Sequence, residues 1–99
     1  MTNLALQKWR DGEKSLGAWS NLPDIHLSEL LARSGFDWIC YDLQHGLMDY
    51  SDLTRVLPAI TGQPVTPIVR VAANQSDQIG KALDAGAQGI IVPMVNSVH

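Results

Sequence analysis

The stretch Phe36 to Gly46, FDWICYDLQHG, ends in three side chains suited to proton transfer and polar recognition: the carboxylate of Asp42, the amide of Gln44 and the imidazole of His45. An apolar run stops abruptly at them, as when a buried strand delivers polar groups to the rim of a parallel sheet. His45 lies three residues past Asp42 and is followed by Gly46. An imidazole placed there can reach the rim, exchange a proton near neutral pH and be oriented by the neighbouring carboxylate. A loop histidine is as often a solvated surface residue, and the adjacent Asp42 is what favours a base.

A second group stands at the end of another apolar run, Arg70 in PIVRV at 67–71. A guanidinium inside such a strand needs a partner, because an unpaired buried charge is too costly. Asp42 is one candidate partner, and a substrate carboxylate held by two parallel N–H groups is the other. Trp19, a candidate substrate contact, closes an earlier strand and Pro93 with Met94 a later one, so these positions converge on one mouth. Gln44 is suited to donate to a substrate, to a metal-bound water or to backbone. His26 reads as a solvated helix residue. Asp84, in the last turn of a helix where an acid opposes the helix dipole, reads as a pair with Lys81. Cys40 reads as a small buried hydrophobe. No spacing of His, Cys, Asp or Glu in the chain makes a complete metal site.

Positioning these groups requires regularly spaced elements, and the chain supplies them. Asn3 caps a short lead-in helix through Lys8 or Arg10, stopped by Gly12. Ser15 to Trp19 is a strand weakened by Gly17. A helix over Asp24 to Ser34 follows, with Leu27, Leu30, Leu31 and Ser34 on its buried face. Trp38 to Asp42 is a strand apolar on both faces. Asp49, with Asp52 three residues on, opens a helix buried through Leu53, Val56, Leu57 and Ile60, with Pro58 bending its last turn. Pro67 to Val71 is the third strand. Asn74 or Ser76 caps a helix with Ile79, Ala82 and Leu83 inward, Gly89 to Val92 is the fourth strand, and Ser97 has the character of a further cap.

The order is a helix and then βαβαβαβ. Right-handed crossovers make such strands parallel and bring their C-terminal ends to one rim. The choice lies between a doubly wound sheet and part of a (β/α)8 barrel. The first βα turn lacks G-x-G-x-x-G, and polar groups close three different strands, so the α/β class predicted is the barrel: its first four strands, three connecting helices and the lead-in helix. Parity along the second strand sets Trp38, Cys40 and Asp42 on the inner face, and along the third it sets Ile68 with Arg70.

With 99 residues, 45% hydrophobic and 17% charged, residues 1–99 make one domain, the N-terminal half of a barrel that typically takes about 250 residues. A net charge of −3 with scattered basic residues argues against nucleic acid or an anionic membrane as partner. One cysteine excludes an intrachain disulfide and fits a reducing cytoplasm, and no run approaches the length of a membrane span.

Five motifs in order, G-A-W at 17–19, S-E-L-L-A-x-x-G-F-D-W at 28–38, D-x-Q-H-G at 42–46, P-I-V-R-V at 67–71 and L-D-A-G-A-Q-G-I-I-V-P-M-V at 83–95, closely resemble the N-terminal half of the HpcH/HpaI aldolases. These include the 4-hydroxy-2-oxoheptanedioate aldolases. The resemblance implies an oligomeric TIM barrel that uses a divalent metal, Mg2+, Mn2+ or Co2+, to cleave 4-hydroxy-2-oxo acids to pyruvate and an aldehyde. It implies that His45 is the general base, that Arg70 binds the pyruvate carboxylate and stabilises the enolate, and that Asp84 raises the basicity of the histidine. Asp42 is a simpler local orienter, whereas Asp84, at a helix end toward the opposite rim, would have to come from a neighbouring subunit. The chain departs from the commoner Glu at Gln44, and the Glu and Asp that bind metal in this family are expected beyond residue 99. Two alternatives are a non-catalytic truncated half-barrel that binds oxo acids or self-associates, and a lyase of CoA thioesters from a related branch.

Overall fold

In a computed structural model, which describes residues 3–45 and 47–93, the elements run α1 (Leu4–Arg10), β1 (Gly17–Ser20), α2 (Ile25–Ala32), β2 (Trp38–Asp42), α3 (Tyr50–Ile60), β3 (Thr66–Arg70), α4 (Ser76–Asp84) and β4 (Gly89–Ile91). The four strands are parallel and in sequential order. That order decides between the two architectures. Doubly wound sheets reverse their strand order to place helices on both faces, whereas a sheet that adds strands in one direction winds every helix onto the same face. Here Ile39, Tyr41 and Val69 pack with Leu53, Val56, Leu57 and Ile60 of α3 and Ala82 of α4 in one core. The fold is the first four strands of a (β/α)8 barrel with their connecting helices.

The other face, bearing Trp38, Cys40, Asp42, Ile68 and Arg70, is the barrel interior. Gly17 has a steric reason to lack a side chain there, because a Cβ would meet the Trp38 indole at 1.9 Å. Helix α1 closes the bottom of this half-open interior. Its N-cap Asn3 donates to the Gln88 carbonyl, the Ala5 N–H donates to Thr66 Oγ1 at 3.1 Å, and Lys8 pairs with Asp37 at 2.7 Å. Gln88, Thr66 and Asp37 all stand at strand N-termini. The lead-in helix therefore seals the rim opposite Asp42 and Arg70.

Several boundaries differ from the sequence-based expectations for local reasons. β1 begins at Gly17 because Ser15 and Leu16 have other partners. The Ser15 hydroxyl accepts from the Trp9 indole, and the Leu16 N–H donates to the Asp37 carboxylate. In α2 the buried residues are Ser28 and Ala32, not Leu30, which is 64% exposed. Ala32 joins the shared core, so small side chains occupy the buried face of this helix and Leu30 lies off it. In α4 neither Asn74 nor Ser76 is the cap. Gln75 takes the position without a side-chain bond to the helix N-terminal backbone, Gln78 accepts from the Ala73 N–H, and Leu83 is half exposed while Ala82 is buried. The capping box of Asp49 with Asp52 is formed as expected. Gly46, Met94 and Ser97 lie outside the described residues.

Candidate active site

Asp42 is the last residue of β2 and only 1% exposed, yet both of its carboxylate oxygens have partners. Oδ1 accepts the Gln44 N–H at 2.8 Å, an Asx turn that folds the chain back over the strand end. The Leu43 N–H donates to the Arg70 carbonyl at 2.9 Å, which keeps the turn tied to β3. This local fold brings the His45 ring onto Asp42, with Nδ1 at 2.7 Å from Oδ2. An ionised carboxylate only accepts hydrogen bonds, so the pairing assigns the proton to Nδ1 and leaves the Nε2 lone pair directed away from Asp42.

Arg70 meets the same group from the neighbouring strand, where it is the register partner of Asp42. Its Nε is 3.4 Å from Asp42 Oδ1, an ion pair that supplies charge compensation without a hydrogen bond, because Nε has no hydrogen-bond acceptor among the described residues. One Nη lies 3.4 Å from His45 Nε2. The guanidinium carbon stands 5.5 Å from the ring centroid of Trp19, and the Trp19 indole N–H donates to Asp42 Oδ2 at 3.0 Å. With the proton on Nδ1, the Nε2 lone pair faces the Arg70 Nη–H, so imidazole and guanidinium stand in contact at the C-terminal rim of the sheet.

Burial by itself pushes the Asp42 carboxyl up. The bonds from Trp19, Gln44 and His45 and the charge of Arg70 outweigh it, and the net effect holds the group below the usual carboxylate range. Asp42 is therefore ionised at neutral pH. Cys40, two residues earlier on the same face, shows the opposite balance: burial, aided by the Asp42 charge, pushes its thiol up to about 12. It is a neutral packing residue, as its position in the strand suggested.

The structure brings Asp42, His45, Arg70 and Trp19 together and leaves two other candidates apart. Gln44 is exposed on the rim, and its backbone rather than its side chain bonds to Asp42. Asp84 lies on the outer wall, in a groove between α3 and α4 lined also by Tyr50, Ser51, Thr54 and Lys81. Lys81 faces the Tyr50 ring, and no ion pair joins it to Asp84 among the described residues. His26 is exposed on α2, as expected. What the sequence did not reveal is that Trp19 touches both charged members of the site. Its place at the end of the strand adjacent to β2 was the available signal.

Fold and site together define a barrel rim at which a carboxylate, an imidazole and a guanidinium meet. The chain belongs to the HpcH/HpaI aldolase/citrate lyase family, whose model matches residues 15–99. It is 38% identical over 91 residues to a hydroxypyruvate/pyruvate aldolase of Pseudomonas aeruginosa, covering 92% of this chain and 34% of that protein. It is 35% identical over 97 residues to a 4-hydroxy-2-oxo-heptane-1,7-dioate aldolase of Salmonella dublin, covering 98% and 37%. Among solved structures, a family member from Burkholderia cenocepacia superposes with TM-score 0.86 at 37% identity, covering 97% of this chain and 38% of that one. The citrate synthase SbnG superposes with TM-score 0.87 at 32% identity, covering 97% and 39%. The chain thus spans somewhat over a third of the length of its relatives.

Proposed function

We propose that the intact protein is a metal-dependent aldolase that cleaves 4-hydroxy-2-oxo acids to pyruvate and an aldehyde, and that these residues supply its base and its anion site. The observation that carries this reading is the chain of contacts from Asp42 through His45 Nδ1, with Nε2 beside Arg70. Retro-aldol cleavage needs a base for the C4 hydroxyl proton and positive charge for the enolate that leaves. His45 Nε2 is suited to the first task. Asp42 stabilises the imidazolium that forms, because its charge lies against Nδ1. Arg70 is suited to the second, since its guanidinium reaches the rim beside His45 and has more N–H donors than Asp42 and His45 engage. Trp19 and Gln44 border the same rim.

The described residues do not themselves fit a metal. No group of three or more His, Cys, Asp or Glu side chains gathers among them, and the one carboxylate at the site already bonds to Trp19, Gln44 and His45. In this reading the ligands for Mg2+, Mn2+ or Co2+, by the family resemblance a Glu and an Asp, would come from beyond residue 99. No step above is routed through that ion. A homo-oligomer in which Asp84 reaches a neighbouring subunit's His45 is part of the same proposal.

Pyruvate release from 4-hydroxy-2-oxo acids with added Mn2+ tests the reading, and His45→Ala is expected to lower the rate about 100-fold or more. A second reading, C–C bond chemistry on citrate-like or CoA-thioester substrates, is favoured by the family description and by the likeness to a citrate synthase. Turnover of citryl- or malyl-CoA without pyruvate release from oxo acids would select it.

A further inference from the structure

Trp19 has a single N–H and no other hydrogen-bonding group on its side chain, and that N–H is committed to Asp42 Oδ2 at 3.0 Å. It therefore has no donor left for a substrate. The same Oδ2 receives His45 Nδ1 at 2.7 Å, so the indole and the imidazole hold one oxygen from two sides. Oδ1 is held by the Gln44 N–H, which fixes the carboxylate against rotation. Meanwhile the Trp19 ring lies 5.5 Å from the Arg70 guanidinium carbon, within reach of a cation–π contact. The β1–β2 register explains how one side chain spans both: Trp19 is opposite Cys40, on the interior face, two residues short of Asp42 along β2.

We propose that Trp19 is a positioning residue that sets the spacing between the base and the anion site, its N–H fixing Asp42 and through it His45, its ring carrying Arg70. This rests on the roles given to His45 and Arg70 above. The charged and titratable groups facing Asp42 are His45, Arg70 and Cys40, so loss of the indole bond acts within that set.

Two substitutions in the intact protein separate the parts. Trp19→Phe keeps a ring for Arg70 and deletes the N–H, whereas Trp19→Leu deletes both. For Trp19→Phe the expected result is a kcat about tenfold lower with KM for the oxo acid changed less than about twofold. The Asp42 carboxyl, followed by carbon NMR in protein that keeps its native amide dispersion, is expected to titrate at higher pH than in the wild type. Trp19→Leu adds a severalfold rise in KM. A Trp19→Phe protein with unchanged kcat and unchanged Asp42 titration overturns the proposal, as does one in which only KM rises. The Asp42 titration needs no substrate, so it decides the role of Trp19 even if the wild type releases no pyruvate and the aldolase reading fails.

Discussion

Both oxygens of Asp42 are occupied, and the consequence is a base whose tautomer is set before any substrate arrives. Replacing Asp42 with Asn keeps the shape but offers the ring an amide, which cannot stabilise the imidazolium as a charge does. A kcat loss of about 100-fold with a smaller change in KM is expected, measured by steady-state pyruvate release. The pH dependence of stability has a definite sign. Because the folded-state carboxyl of Asp42 lies below its ordinary value, its stabilising contribution is present above the unfolded pKa of about 4 and is lost as pH falls through the folded value. Urea midpoints taken from pH 6 downward should fall more steeply for the wild type than for Asp42→Asn. Arg70→Lys, which retains charge without the planar fork, is expected to raise KM for the oxo acid by about tenfold. An unaltered KM would remove Arg70 from substrate binding. The Asp42–His45 pair was legible in the sequence, since the spacing lies within one strand end and its turn. The place of Trp19 was not, because it depends on a side chain crossing between strands.

The strand ends matter only because the elements hold them in register, and α3 contributes most to that. Its Leu53, Val56, Leu57 and Ile60 were readable from helical spacing, and all four are buried. Leu53→Ala should cost roughly 2–5 kcal/mol by denaturant unfolding, through the cavity it leaves. The faces of α2 and α4 were less readable. Ser28, Ala32 and Ala82 are the buried positions there, and small residues carry little hydrophobic signal even where they face the core. Gly17 is a similar case. Its effect on strand propensity was visible, while its reason, the Trp38 indole lying across the interior, needed the packing. Gly17→Val is expected to displace that indole, seen as a change in near-ultraviolet circular dichroism together with a lower unfolding midpoint.

At the scale of the molecule, sequential strand order turned a choice of two architectures into one, and sequence spacing alone had left the decision to motif arguments. Four parallel strands with helices on one face leave an apolar interior lined by Trp9, Trp38, Ile68 and Ile91. In relatives nearly three times as long, further chain is available to cover such a surface. Asp84 belongs to this scale as well, since it lies on the outer wall away from His45 of its own chain. If a neighbouring subunit uses it, Asp84→Asn alters the pH–rate profile, and an unchanged profile assigns histidine orientation to Asp42 alone. The account stands most directly on one comparison, pyruvate release from a 4-hydroxy-2-oxo acid by the intact protein with Mn2+, wild type against His45→Ala. It predicts release by the wild type and a loss of about 100-fold or more in the variant. Equal rates in the two proteins would contradict it.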